Sequence, residues 1–264
     1  MQSAWKRARA PRASAAGLAL AALCAWVVGC DRGPPPGVRV VRVAAAADLD
    51  GAFRELARDV ERETGARVEL TFGSSGLLAK QVAEGAPFDV FASANVAYAE
   101  AAARSGACDD ATRAPYARGR LALACPAGVP ADGLAGLPRL GRLALANPEH
   151  APYGRAAVEA LESLGLAARV KAQLVFAGNV GESWQFARSG NADCAFVSKA
   201  LVRDEPPSRV LDVPAALHAP IVQALVLCSG GARPGDRAAA AAFAAHVRGP
   251  HGQQVLAAYG FSPP

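Results

Sequence analysis

The chain is organised as short apolar or alternating runs, each followed by a longer stretch with apolar residues at helical spacing. The run VRVVRVAAA precedes a helical pattern over residues 49–63, and the alternating run RVELTF precedes another over residues 77–83 that stops at Gly85. The rhythm continues with FDVFAS, a helical pattern over residues 96–105, and RLALAC. Strands that alternate with helices in this way indicate a parallel, open α/β sheet.

A second series of the same kind follows a segment rich in proline and glycine, residues 126–138. Its strands are RLALAN, AQLVFA and CAFVS, with helices predicted over residues 155–164 and 181–189. The strand PIVQALVLCS then leads to helices over residues 237–247 and 252–259. Two similar series with a return strand predict two lobes, built from the following ranges: lobe 1 from residues 39–119 and 221–264, and lobe 2 from residues 120–220.

The chain would cross between the lobes near Gly119 and again near Pro220, and we expect these crossovers to act as a hinge. Ligands of open α/β sheets bind beyond the carboxyl ends of the strands. A two-lobed arrangement therefore predicts a ligand cleft between the lobes, surrounded by five strand-to-helix turns: Ala47-Asp48, Ser74-Ser75, Pro152-Tyr153-Gly154, Asn179-Val180 and Ser198-Lys199.

The turn Gly73-Ser74-Ser75-Gly76 indicates what this cleft binds. Two hydroxyls and several backbone N–H groups would project from the start of the following helix, which suits an anion. The alternative is an ordinary serine N-cap between flexible glycines. The five turns contain no GxSxG, GxxxxGK[ST], GxGxxG or HExxH motif. They predict recognition of an anion by dipoles, without a nucleophile or a general base.

The N-terminus has the pattern of an export signal. A basic start is followed by an apolar run over residues 15–28 and then by VVGC, in which a small residue precedes Cys30. We interpret residues 1–29 as a lipoprotein signal peptide, Cys30 as the lipidated residue and residues 30–38 as a proline-rich tether. A plain signal peptide with an incidental cysteine and an uncleaved anchor helix are the alternatives. The prediction is a periplasmic or cell-surface protein held at a membrane through Cys30.

Charge and cysteine content exclude some classes of function for this sequence. The net charge of +5 owes much to four basic residues among the first twelve, and no basic stripe with interleaved aromatic residues suggests nucleic acid. Export places four further cysteines in an oxidising compartment, where three pairings are open, and no CxxC motif supports a zinc ribbon or a redox site. The histidines lack metal-ligand spacing and are interpreted as surface or core residues: His150, His218, His246 and His251.

Several motifs, in order, resemble the periplasmic molybdate-binding proteins of ABC transporters. They are VAAAADLDGAF, FGSSGLLAKQVAEGAPFDVFASAN, NPEHAPYG, VFAGNV and HGQQVLAAYGF, within residues 41–261. The resemblance implies a type II periplasmic binding-protein fold with an open mixed sheet flanked by helices in each lobe. It also implies a monomer without enzymatic activity or cofactor, which binds molybdate or tungstate and delivers it to an ABC permease.

In that family, hydroxyls and backbone N–H groups hold a tetrahedral oxyanion between the lobes. The resemblance implies that Ser75 donates its hydroxyl and N–H, Ser198 its hydroxyl, and Tyr153 and Val180 their backbone N–H groups. These residues, together with Asp48, form the predicted ligand set, which is a set for a molybdate oxyanion and not for a bare metal cation: Asp48, Ser75, Tyr153, Val180 and Ser198.

Asp48 departs from the family pattern, which often has serine at this position. Unit charges about 4 Å apart repel by ~4 kcal/mol at an effective dielectric of 20, and a dianion doubles that cost. Asp48 would cap its own helix at Asp50 or Gly51, be protonated in the bound state, or accept a hydrogen bond from a protonated oxyanion. We expect the first of these arrangements.

Three other functions stay open at this point. The same fold would bind sulfate or phosphate instead, or would be a receptor that has lost its ligand. An exported α/β hydrolase would use Ser75 or a free cysteine as nucleophile, although no histidine–acid pair lies at a matching turn. The fold implied by the resemblance also sets the strand after Cys194 antiparallel to the strand that ends at Cys125, which predicts a disulfide between these two cysteines.

Overall fold

The computed structural model describes residues 39–230 and 237–264, so the predicted signal peptide, Cys30 and the tether lie outside the described residues. The strands are β1 (Val40–Ala46), β2 (Arg67–Gly73), β3 (Val90–Ser93), β4 (Cys108–Gly119), β5 (Leu121–Ala124), β6 (Leu143–Ala146), β7 (Leu174–Ala177), β8 (Cys194–Ser198), β9 (Val210–Asp212) and β10 (Ile221–Cys228). The α-helices are α1 (Asp50–Thr64), α2 (Ser75–Ala83), α3 (Val96–Arg104), α4 (Pro152–Ser163), α5 (Ala167–Val170), α6 (Val180–Arg188), α7 (Arg237–Arg248) and α8 (Pro250–Ala258).

The strands form two sheets of the same design. One has the order β2-β1-β3-β10-β4 and the other β7-β6-β8-β5-β9. In each sheet four strands run in one direction and one runs against them, because β10 is antiparallel to both β3 and β4, and β5 to both β8 and β9. The fold is therefore α/β with two open mixed sheets, as the family resemblance implies. The alternation of strands and helices alone predicts a fully parallel sheet, and that prediction is wrong for β10 and β5.

Burial on both faces explains why the central strands lack an alternation of apolar and polar residues. In β3, β5, β6 and β8 every residue is buried, because helices cover both faces of a parallel or mixed sheet and leave no wet side. The edge strand β2, in contrast, has no fully buried residue.

Two helices begin earlier than their apolar spacing predicts. Helix α2 begins at Ser75 and α4 at Pro152, two and three residues before the predicted starts at residues 77 and 155. Ser74 precedes α2 in an extended conformation, and proline is well suited to the first turn of α4, where its missing N–H has no partner to lose. These earlier starts bring Ser75 and Tyr153 into the first turns of their helices.

Strand β4 has no counterpart in the sequence pattern. Its sequence, CDDATRAPYARG, has four charged residues and Pro115, so it has neither the alternation nor the β-propensity of a strand. It forms at the edge of the first sheet by pairing with β10, and the pairing is irregular where Pro115 lies opposite Ala224. Proline is tolerated there because edges and bulges do not require every N–H.

Two disulfides lie within the described residues. Cys125 bonds to Cys194, and this confirms the predicted pair: β5 and β8 are antiparallel, with Ala124 opposite Ala195. Cys108 bonds to Cys228, its partner across β4 and β10. None of these four cysteines is a free nucleophile.

The chain passes between the two sheets twice. It leaves the first sheet at Gly119, enters the second at Leu121, and returns between Asp212 and Ile221. Residues 38–264 nevertheless form one compact unit, so the lobe boundaries and the hinge stay predictions. Of the described helices, none is long and apolar enough to cross a membrane.

Candidate functional site

Four of the five predicted turns meet around one small cavity. Four of the predicted ligand residues line it: Asp48, Ser75, Tyr153 and Val180. The remaining lining residues come from the same turns or next to them: Ala46, Ala47, Gly73, Ser74, Ala94, Ala151, Pro152 and Asn179. None of the residues that line this cavity is a lysine, an arginine or a histidine, so no side-chain cation faces it.

Helix starts supply the donors of the cavity. Ser75 and Val180 are the first residues of α2 and α6, and Tyr153 is the second residue of α4. The first N–H groups of a helix have no carbonyl partner within it, and the helix dipole adds partial positive charge there. Asn179 caps α6 by accepting from the N–H groups of Gly181 and Glu182, which leaves that of Val180 to the cavity.

The Ser75 hydroxyl is oriented by a backbone contact. Its Oγ accepts a hydrogen bond from the N–H of Ala94 at 3.0 Å, and the residue is buried. A hydroxyl that accepts in this way still has its own proton to donate. Because no histidine or carboxylate is among its hydrogen-bond partners in the described part of the chain, Ser75 has donor chemistry and no activating base.

Asp48 does not cap its helix, so the expected arrangement is wrong. Residue Leu49 precedes α1 without a side-chain cap, and Asp48 Oδ2 instead accepts from Tyr153 Oη at 2.9 Å and from Gln223 Nε2. Tyr116 donates its hydroxyl to Gln223 Oε1 at 2.6 Å and so orients that amide. The carboxyl turns toward partners that are 105 and 175 residues away along the chain, and a buried polar network replaces the local cap.

The other carboxyl oxygen of Asp48 is unsatisfied. Oδ1 is buried and has no hydrogen-bond partner among the described residues, although Asp48 itself lines the cavity and is only 1% exposed. Burial raises the pKa of Asp48 from 3.8 to about 6, against the lowering effect of the hydrogen bonds from Tyr153 and Gln223. A carboxyl with this pKa is about half protonated at pH 6 and about one tenth protonated at pH 7, and a proton on Oδ1 would make it a donor.

Burial also raises the pKa of both tyrosines well above 10, and the nearby Asp48 charge adds to this. Tyr116 and Tyr153 therefore stay neutral and keep the protons that they donate. Ser198 donates its hydroxyl to Tyr153 Oη at 3.1 Å and accepts from the N–H of Ala200 at 3.3 Å. Ser198 therefore does not line the cavity. Its hydroxyl contacts Tyr153, although direct contact with the ligand was expected.

Sequence reasoning missed Gln223, Tyr116 and the side chain of Tyr153. A signal for Gln223 was present, since it is the one polar residue in the apolar strand IVQALVLC. A fully buried amide requires partners, and so marks a network. Tyr116 lies in the unpredicted strand β4, where no periodicity pointed to it.

Hydrogen bonds between elements that flank the two sheets lie along one side of the cavity. His150 is the centre of these contacts: its carbonyl accepts from the Gly76 N–H at 2.9 Å and from Ser74 Oγ at 2.5 Å. His150 Nδ1 is also 2.8 Å from the same hydroxyl, and Tyr98 donates to the Glu149 carbonyl at 3.2 Å. These bonds join the starts of α2 and α3 to the loop before α4.

A larger open groove shares Ala47 and Asn179 with the cavity. Arg54 and Arg188 line it, but the acids Asp50 and Glu182 line it too, so its charge is mixed. The anion-binding character of the site therefore comes from the small cavity and its N–H and hydroxyl donors.

Comparison with known proteins agrees with this geometry. A family model described as "Bacterial extracellular solute-binding protein" matches residues 41–262. The chain is 34% identical over 227 residues to the molybdate-binding protein ModA of Azotobacter vinelandii, covering 84% of this chain and 89% of that protein. It is 32% identical over 229 residues to ModA of Rhodobacter capsulatus, covering 86% of this chain and 90% of the other.

A solved structure shows the same fold. The periplasmic molybdate-binding protein of Azotobacter vinelandii matches with a TM-score of 0.78 and 31% identity, covering 85% of this chain and 99% of that one. The similarity spans both sheets and all four turns that line the cavity, since the matched family segment runs from β1 to the residues after α8.

Proposed function

We propose, from the premise that this chain belongs to the bacterial extracellular solute-binding proteins, that it captures molybdate and delivers it to an ABC permease. Tungstate, which has the same shape and charge, would bind in the same way. Two named molybdate-binding relatives, each more than 30% identical over most of the chain, support this choice of ligand.

The observation that carries the proposal is a cavity lined by hydroxyls and helix-start N–H groups, without a side-chain cation. Such donors stabilise a buried anion by several charge-assisted hydrogen bonds, each worth ~1.5–3 kcal/mol. The cavity is small and its donors come from four separate turns, which suits a compact tetrahedral oxyanion. An oxyanion held in this way is released when the turns separate.

In this proposal Ser75 donates its hydroxyl and N–H, while Tyr153 and Val180 donate backbone N–H groups. Asp48 takes part as a neutral carboxylic acid, with Oδ2 held by Tyr153 and Gln223 and the proton of Oδ1 directed at the ligand. This replaces the hydroxyl donor that the family often has here and avoids a carboxylate beside a dianion. Ser198 supports the ring through Tyr153.

Release would require lobe 1 and lobe 2 to separate at crossovers near Gly119 and Pro220. The contacts of His150 with Ser74 and Gly76 would break in the open state and form around the ligand. Small-angle scattering should therefore give a smaller radius of gyration with saturating molybdate than without it. An identical radius in both conditions would argue against hinge closure.

The membrane attachment is a separate part of the proposal. We propose a monomer that is exported by residues 1–29 and anchored through lipid on Cys30, supported by the basic start, the apolar run and VVGC. Membrane fractionation and mass spectrometry of the mature N-terminus test this. Wild-type protein should be in the membrane fraction and Cys30→Ser protein should not. A wild-type protein that is recovered soluble with another mature N-terminus would refute the anchor.

Titration calorimetry of the purified protein against molybdate, tungstate, sulfate and phosphate tests the ligand. We expect one molybdate or tungstate per chain, with sulfate and phosphate binding more weakly, because the relatives that are more than 30% identical are molybdate-binding proteins. If sulfate or phosphate bound more tightly than molybdate, the proposed ligand would be wrong. The proposed class, a solute-binding protein for an oxyanion, would still stand. If none of the four anions bound, the proposed function would be wrong.

A further inference from the structure

A second cluster of potential ligands lies where three helices beside the first sheet meet. Asp59 belongs to α1, His246 to α7 and His251 to α8. One ring nitrogen of each histidine and one carboxylate oxygen of Asp59 lie within 4.8 Å of one another. Asp59 is nine residues beyond the start of α1, about 13 Å along the helix axis. The cluster is therefore separate from the oxyanion cavity.

The cluster contains a buried nitrogen without a partner. His246 Nε2 is shielded from solvent and forms no hydrogen bond within the described part of the chain. Its other nitrogen, Nδ1, is 3.4 Å from a carboxylate oxygen of Glu63. A carboxylate on one ring nitrogen of a histidine is the usual partner that orients the other nitrogen toward a metal ion. A buried polar atom without a partner requires an explanation, and an ion is one.

The remaining two ligands are already close together. His251 Nε2 lies 2.9 Å from Asp59 Oδ2, and the rings of His246 and His251 are 5.4 Å apart at an angle of 67°. Ligand atoms of a tetrahedral zinc ion, at about 2.1 Å from the metal, are about 3.4 Å from one another. The cluster therefore needs side-chain shifts of about 1 Å to bind an ion, and the exposed side chain of His251 can supply much of this movement.

The charges around the cluster are compatible with a cation. Asp59 and Glu63 contribute two carboxylates, while Arg62 pairs with the other oxygen of Asp59, Oδ1. Arg62 is largely exposed, so its charge is screened by water, and Oδ2 is left for an ion. Two imidazoles and one carboxylate suit zinc, nickel or copper ions better than magnesium or calcium, which prefer oxygen ligands.

We propose that Asp59, His246 and His251 bind a divalent transition-metal cation such as zinc, with water completing the coordination. The ion would join α1 to both C-terminal helices and so hold α7 and α8 against α1. It is a structural site, independent of the proposed oxyanion ligand.

Calorimetric titration of the full chain without a polyhistidine tag, with zinc chloride in a buffer free of phosphate and chelators, tests the proposal. We expect one zinc ion per chain and a midpoint of thermal unfolding that rises with zinc concentration. Magnesium chloride at the same concentration should have no effect on this midpoint. His251→Ala should weaken zinc binding by roughly 10-fold or more, since it removes a ligand. His251 is 57% exposed, so this variant is expected to fold normally.

His218→Ala is the matched control, because His218 lies outside the cluster, is partly exposed and has a side-chain contact with the neighbouring Ala219 carbonyl. It should bind zinc as the wild type does. His246→Gln should weaken binding as His251→Ala does, with near-ultraviolet circular dichroism as the check on its fold. Unchanged affinity in His251→Ala, weakened binding in His218→Ala alone, or no binding by the wild type up to millimolar zinc would each overturn the site. Molybdate titrations of the same samples report the oxyanion site separately.

Discussion

Replacing Asp48 with asparagine should remove a pH dependence from molybdate binding. In the proposed arrangement a dianion binds beside Asp48 only when that carboxyl is protonated, because an ionised carboxylate about 4 Å from a dianion costs ~8 kcal/mol at an effective dielectric of 20. Asparagine has the same shape and no charge. Its oxygen can accept from Tyr153 and Gln223, as Oδ2 does now, and its NH₂ group can donate where the Oδ1 proton would.

The size of the effect follows from the pKa of Asp48, which burial raises to about 6. About one half of the protein has a neutral Asp48 at pH 6, and about one part in a hundred at pH 8. The apparent affinity scales with this fraction, so it should fall roughly 50-fold between these pH values, or ~2.3 kcal/mol. The affinity of Asp48→Asn should stay level across the same range.

The assay is calorimetric titration of molybdate into wild type, Asp48→Asn and Asp50→Asn at pH 6, 7 and 8, in the same buffers. Asp50 is the matched control, because it is two residues away, 44% exposed and paired with Arg54 outside the cavity. Asp50→Asn should keep the wild-type slope. Any titration of molybdate itself affects all three proteins equally and cancels in the comparison.

A wild-type affinity that does not change from pH 6 to pH 8 would refute the reasoning. An equal slope in the wild type and Asp48→Asn would refute it too, since the titrating group would then be another one. Loss of binding in Asp48→Asn at every pH would show that a carboxylate is required, as expected for a protonated oxyanion ligand.

The same carboxyl gives a stability test without ligand. Its pKa in the fold, about 6, is above the ordinary value of 3.8, so the fold favours the protonated form. The stabilisation from Asp48 is present below pH 4 and is lost as the pH rises to about 6, in total about 3 kcal/mol. Urea unfolding from pH 4 to 7 should show this loss in the wild type relative to Asp48→Asn, which should be the more stable protein at pH 7.

Three further predictions concern single contacts. Ser75→Ala should weaken molybdate binding by roughly 10- to 150-fold in calorimetry, since it removes a buried hydrogen bond to a charged ligand; an unchanged affinity would remove Ser75 from the ligand set. Gly76→Ala places a Cβ 2.8 Å from the His150 carbonyl, so it should weaken binding by hindering the closed arrangement while the unfolding midpoint changes little; a normal affinity would show that this contact is not needed. Peptide mapping without reduction should recover Cys125 linked to Cys194, and free thiols at both positions would contradict that pairing.

The sequence by itself determined the features that depend on neighbouring residues. Continuous apolar runs became buried strands, and the GSSG turn became the start of α2, because periodicity and helix capping are local properties of the chain. The positions of Asp48, Ser75, Tyr153 and Val180 at one cavity could also be anticipated, because each lies at a strand-to-helix turn and such turns meet at the carboxyl edges of sheets.

The tertiary structure alone decided how those residues are connected. Asp48 was expected to cap the adjacent helix, yet its partners Tyr153 and Gln223 come from distant parts of the chain. Strand β4 forms because β10 offers a free edge, although its own sequence has four charged residues and a proline. His246 and His251 are five residues apart across the break between α7 and α8, a spacing that no single helix would align, and they meet Asp59 only because three helices pack together. Side-chain partners depend on which surfaces come into contact when the chain folds. Burial is a property of the whole folded chain, and the spacing of residues along one strand or helix does not reveal it.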